Sequence, residues 1–155
     1  MAGRRSPPVR SRPNVAYVRI EDLPPDRCDD ATSRWRTTGL TRPWNDPRGD
    51  FQRALAGPTS TVLGGLTPDG GLLGTVMVGH DGHRGWVYYL AVHPDEQRRG
   101  VGRQLMAVSE RWLQARGVPK INLMVRKTNA DAIGFYTALG YEDGEVVVLG
   151  KFLDT

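Results

Sequence analysis

The stretch from Trp86 to Ala115, WVYYLAVHPDEQRRGVGRQLMAVSERWLQA, constrains this chain more than any other. Trp86 to Val92 is continuously apolar or aromatic and rich in valine and tyrosine, which predicts a strand buried on both faces and therefore central. His93-Pro94-Asp95-Glu96 ends it, because proline cannot donate to a sheet ladder. Beyond Gln97 to Gly102, apolar residues at Val101, Leu105, Val108 and Trp112 form one stripe of a helix that ends near Gly117. The predicted order is strand, basic glycine-rich turn, helix.

Such a turn is an anion site on physical grounds. The first N–H groups of a helix have no internal partner and lie at the positive end of its dipole. Gly100 and Gly102 remove Cβ atoms that would hold an anion away, and Arg98, Arg99 and Arg103 add charge. A P-loop needs G-x-x-x-x-G-K-[ST], which is absent. A dinucleotide fingerprint needs a third small residue where this chain has Leu105. What remains is Q-x-x-G-x-G between a strand and a helix.

Charge decides against nucleic acid as the partner. The chain has 21 basic and 17 acidic residues, but Arg4, Arg5, Arg10 and Arg12 all fall in residues 1–13, where there is no acid. Without them the remainder is neutral and has no basic surplus to track a phosphate backbone. The tail at 1–13 has no apolar stretch to serve as a secretory signal and reads as disordered, ahead of a single domain at 14–155. No apolar run approaches the ~20 residues of a membrane span. Cys28 is the one cysteine, which excludes an internal disulfide and favours a cytoplasmic setting. With three scattered histidines it offers no metal spacing.

In chain order, Val15 to Ile20 alternates as a first strand. A helix follows around residues 26–38, with Cys28 and Trp35 facing inward. Gly39 to Pro47 is a turn-rich loop carrying Trp44, either a pocket wall or a lid on the core. Asp46 is the expected N-cap of the next helix and Pro47 its first residue. Thr59 to Leu66 and Leu72 to Val78 are strands joined by a hairpin turn at Thr67 to Gly71. Ile121 to Val125 is a strand, Asn129 and Asp131 open a helix that Gly140 closes, and Glu145 to Phe152 supplies a last strand. This order is α+β with a mixed sheet.

The turn at 97–102, its flanking strand and helix, and Asn129-x-x-Ala132-x-x-Phe135-Tyr136-x-x-Leu139-Gly140-Tyr141 resemble the GNAT family of N-acetyltransferases. The resemblance covers most of residues 15–152. The segments Gly39 to Pro47 and Asp81 to Gly85 look closer to its bacterial YpeA-type branch. It implies a mixed, mostly antiparallel sheet of six to seven strands flanked by about four helices, with acetyl-CoA as cosubstrate and no metal. The pantetheine arm would pair with the backbone of Leu90, Ala91 and Val92. Its pyrophosphate would lie on Gln97, Arg98, Arg99, Gly100, Val101 and Gly102 with Arg103. Asn129, equally readable as a helix cap, would steady the pantetheine. Tyr136, otherwise core packing beside Phe135, would be the general acid. The resemblance does not imply a substrate.

The implied reaction is direct acetyl transfer from a thioester to the amine of a small molecule or a protein or peptide amino group. The amine must lose a proton, the oxyanion needs a donor and the leaving thiolate needs a proton. Asp46, Asp81, His83 and Glu21 are the candidate bases. A route through Cys28 is disfavoured, since nothing in its helix lowers its pKa. Arg42, Trp44, Asn45 and Asp46, with Asp81 and His83, are the candidate acceptor contacts, and a homodimer is the assembly considered. The competing reading is a non-catalytic acyl-CoA-binding regulatory module.

Overall fold

The computed structural model describes residues 18–154. The tail at 1–13 and the start of the expected first strand, Val15 to Tyr17, lie outside them. The contacts divide into two compact units, one running to Leu123 and one beginning at Met124.

In the first unit a short strand, β1 (Arg19–Asp22), leads through one 3-10 turn into α1 (Cys28–Thr37). After the loop comes α2 (Pro47–Ala56), then the hairpin strands β2 (Ser60–Leu66), β3 (Leu72–His80) and β4 (Gly85–Val92). A second 3-10 turn, Pro94–Glu96, precedes α3 (Val101–Gln114), and β5 (Ile121–Asn122) completes the sheet. The strands lie in sequence order, antiparallel except for the parallel pair β4–β5. The hairpin turn at 67–71 forms as expected: Thr67 N–H donates to Gly71 O at 2.9 Å and Gly70 sits at φ 89°.

The two faces of the sheet are filled differently. On one, Trp35 of α1 and Phe51 of α2 are buried with Leu23, Val62 and Ala91, and Cys28 joins them as expected. Each large apolar side chain buried there contributes about 1.5–3 kcal/mol. On the other, α3 lies against glycines. A Cβ on Gly85 would meet Leu113 Cδ1 at 2.4 Å, and one on Gly74 would meet Leu105 Cδ1 at 3.0 Å. The missing side chains let the buried α3 residues Val101, Leu105 and Leu113 seat directly on the sheet. That close approach fixes where the α3 N-terminus stands relative to the end of β4.

Four expectations need correction. The described residues hold five strands, fewer than the six to seven expected. The expected last strand, Glu145 to Phe152, is irregular: Glu145 takes a left-handed φ of 52° and Leu149 is 90% exposed. Valines of high strand propensity without a paired neighbour do not make a strand. The strand expected at Ile121 to Val125 shortens to Ile121–Asn122, since pairing with β4 stops there. β4 is penultimate rather than central, and its Tyr88 is exposed, so it is not buried on both faces.

The second unit is built on α4 (Ala130–Ala138). Asn129 caps it, its Oδ1 accepting from Ala132 N–H at 3.1 Å. Gly140 at φ 94° ends it, and Tyr141 N–H donates to Tyr136 O at 3.0 Å.

Candidate active site

The N-terminus of α3 is built as the sequence predicts. Gly100 occupies the N-cap at φ 88°, and having no side chain it leaves the first amides of the helix uncapped. The space where its Cβ would lie is open. Arg98 is also left-handed, at φ 64°, so the turn alternates backbone handedness in the manner of an anion nest. Arg98 and Arg103 are exposed.

Gln97 and Arg99 have structural partners. Gln97 Nε2 donates to Val92 O at 3.2 Å, clipping the turn to the end of β4. Arg99 pairs with Glu96, a carboxylate only 6% exposed. A buried charge must be paired, so this bridge anchors the turn from beneath. His93 N–H donates to Leu73 O at 2.8 Å and ties the same corner to β3.

Beside the turn runs the free edge of β4. Its pairing with β5 is confined to Gly85–Ile121 and Trp86–Asn122. Among the described residues no strand pairs with Val87 to Val92 on that side, so the edge can take an extended ligand as an added strand. Leu90, Ala91 and Val92 lie on this stretch.

The opposite edge of β4 is irregular. Thr75 pairs with Ala91 but Met77 pairs with Tyr88, so β4 carries one residue more than β3 between them. Tyr89, inside this bulge, has φ 52°. A bulky aromatic residue there costs about 1–3 kcal/mol and persists only where its surroundings hold it. Three contacts do so. Its ring stacks on Trp35 with centroids 3.9 Å apart and planes 8° from parallel. Its carbonyl accepts from Thr75 Oγ1 at 3.1 Å, while that hydroxyl accepts from Trp35 Nε1 at 2.8 Å. Its hydroxyl donates to Asp50 Oδ2 at 2.7 Å, and Arg53 pairs with the other oxygen of Asp50. Burial and then the bond to Asp50 push the Tyr89 phenol well above its ordinary pKa, so it stays a donor.

The candidate acceptor residues fall in two groups. In the loop before α2, Arg42 N–H donates to Asn45 Oδ1 at 2.9 Å and the Arg42 guanidinium donates to Gly39 O. Asp46 caps α2 by accepting from Gly49 N–H at 3.0 Å. Trp44 is 61% exposed, so it is not a lid packed on the core. In the β3–β4 turn, Asp81 accepts from His83 and Arg84 N–H at 2.9 and 2.8 Å and from Trp86 Nε1 at 3.2 Å. The Arg84 and then the His83 amide hold its carboxyl down at about 2. Among the described residues no hydrogen bond or ion pair joins the two groups. Glu21 pairs with Arg19 on β1.

In the second unit Tyr136 lies on α4, edge-to-face with Phe135 at 5.0 Å and Tyr141 at 5.7 Å. Burial pushes its pKa up to about 12. Sequence reasoning missed the Trp35–Thr75–Tyr89–Asp50 network and the Glu96–Arg99 pair. The adjacent tyrosines at 88 and 89 were the one signal, since a regular strand would send them to opposite faces.

Among the described residues no group of three His, Cys, Asp or Glu is placed to hold a metal ion, and no helix is long and apolar enough to cross a membrane. The profile of the Acetyltransferase (GNAT) family matches residues 26–141. An acetyltransferase of Yersinia pestis is 43% identical over 128 residues, covering 83% of this chain and 90% of that protein. One from Pectobacterium atrosepticum is 46% identical over 119 residues, covering 77% and 84%. Among solved structures, the aminoglycoside N-acetyltransferase AAC(6')-Iy in complex with CoA superposes with a TM-score of 0.76 at 17% identity, over 93% of this chain and 98% of that one. An aminoglycoside acetyltransferase from an uncultured soil sample, in complex with sisomicin, gives a TM-score of 0.75 at 17% identity, covering 90% and 98%. At such identities the structural likeness shows the fold.

Proposed function

Because the chain belongs to the GNAT family of acetyltransferases, we propose that it is an acetyl-CoA-dependent N-acetyltransferase acting on a primary amine of a small molecule or of a protein or peptide. One observation carries the reading: an uncapped, left-handed glycine turn opens α3 at the end of a strand whose outer edge is unpaired from Val87 to Val92 among the described residues. The CoA complex of a similarly folded aminoglycoside acetyltransferase supports it. Acetyl-CoA supplies an activated thioester, from which acetyl passes to the amine nitrogen as the thiol leaves with a proton. The amides of Val101, Gly102 and Arg103, with the Arg98 and Arg103 charges, bind the pyrophosphate. The backbone of Leu90 to Val92 pairs with the pantetheine arm, and an N–H near Val92 donates to the developing oxyanion. Asn129 steadies the arm.

Tyr136 is the proposed donor to the leaving thiol. A phenol at about 12 keeps its proton throughout the neutral range, as a donor must. Asp81 is a poor base, because a carboxyl held near 2 takes a proton weakly. Holding both substrates together replaces part of the missing acid–base power. On the acceptor side, exposed Trp44 beside Asp46 suits a cationic amine through its ring face. Arg42 favours an acceptor that also carries an anionic group.

An amine-panel turnover assay with acetyl-CoA, run on wild type and Tyr136→Phe, tests the reading. It predicts acetylated product for at least one amine and a kcat about 100-fold lower in the variant. Tight acetyl-CoA binding with no turnover of any amine would instead favour the regulatory module.

A further inference from the structure

The bulge in β4 is held by more than packing. Trp35 alone would stack as well on a phenylalanine, yet residue 89 is a tyrosine whose hydroxyl reaches the first turn of α2 at 2.7 Å. The receiving carboxylate, Asp50, is fixed by Arg53 one turn further on. Asp50 lies four residues beyond Asp46, the cap with which the candidate acceptor loop ends. On the strand, Tyr89 immediately precedes Leu90, Ala91 and Val92, the backbone proposed to meet the pantetheine arm and the oxyanion. The hydroxyl therefore links the helix that the acceptor loop feeds to the strand that the thioester lies along.

We infer that the Tyr89–Asp50 hydrogen bond is a positioning device for acetyl transfer: it holds the left-handed bulge that aims the Leu90–Val92 backbone, and it couples α2 to that backbone. The inference rests on the acetyltransferase reading for its chemistry, whereas the link itself lies wholly within the first unit. Tyr89 and Asp50 touch no reacting atom in this scheme. They act through the backbone between them and the thioester. Losing the hydroxyl leaves the ring on Trp35 and the Thr75 bond to the Tyr89 carbonyl, so the strand stays in place while its bulge loosens.

Tyr89→Phe is the direct test, with Asp50→Ala to remove the acceptor and Asp50→Asn to retain one. Two readouts are needed: hydrogen exchange at the Leu90 and Ala91 amides of the free protein, and steady-state kinetics with a turned-over amine. Tyr89→Phe and Asp50→Ala are expected to speed exchange there and to lower kcat about 10-fold or more, with KM for acetyl-CoA moving less than about 3-fold. Asp50→Asn is expected to recover most of the rate, which a purely structural loss would not show. Wild-type kcat in Tyr89→Phe overturns the inference, as does unchanged exchange in both disruptive variants. If wild type binds no acetyl-CoA, the acetyltransferase reading and the catalytic part of the inference fall together. The exchange measurement still decides whether the hydroxyl holds the bulge.

Discussion

Asp81 accepts from two backbone amides and an indole, so its carboxylate shapes the β3–β4 turn instead of standing ready for a proton. Because its folded pKa lies below the ordinary aspartate value, the turn's stabilisation is complete above that value and is lost as pH falls toward 2. An NMR titration should place the Asp81 carboxyl near 2, with the His83 and Arg84 amides shifting together with it. A midpoint in the ordinary carboxylate range would mean these bonds are not formed in solution. Capping residues of this sort were legible: Asp46 and Asn129 stand where helix-start chemistry puts them. The strained Tyr89 was not legible, because period-two reading gives every strand residue one step, and an inserted residue changes the phase without changing composition.

At the scale of elements, the positions of β2, β3, β4 and α3 followed from apolar pattern and turn residues to within about three residues, since each has its own start and stop chemistry. The last strand failed where pattern alone was asked to supply a partner: its valines have the right propensity, but strands are stabilised in pairs. Glycine content also hid a packing role. Gly74 reads as a weak spot in a strand, yet a Cβ there would come 2.8 Å from Ala91 O as well as pressing on Leu105. Gly74→Ala should therefore destabilise the protein by about 1–3 kcal/mol in denaturant unfolding, as overpacking does elsewhere. Unchanged stability would show that β3, β4 and α3 are not packed this closely.

For the whole molecule, one surface feature outweighs net charge. The tail's four arginines account for the basic surplus of the sequence, so the proposed anion site rests on the α3 turn and not on bulk charge. The acceptor was not legible, because the proposed acceptor side is made of loops whose composition fits several amines, whereas the proposed coenzyme side is made of backbone. The central claim is that acetyl-CoA binds on that turn, and Gly100 is the residue where it is most exposed to test. Calorimetry of wild type and Gly100→Glu with acetyl-CoA, after confirming that both are folded, reads it directly. Wild type is expected to bind and the variant to lose at least ~100-fold in affinity, about 2.7 kcal/mol, as a carboxylate enters the proposed anion cradle. Equal affinity in the two proteins would contradict the claim.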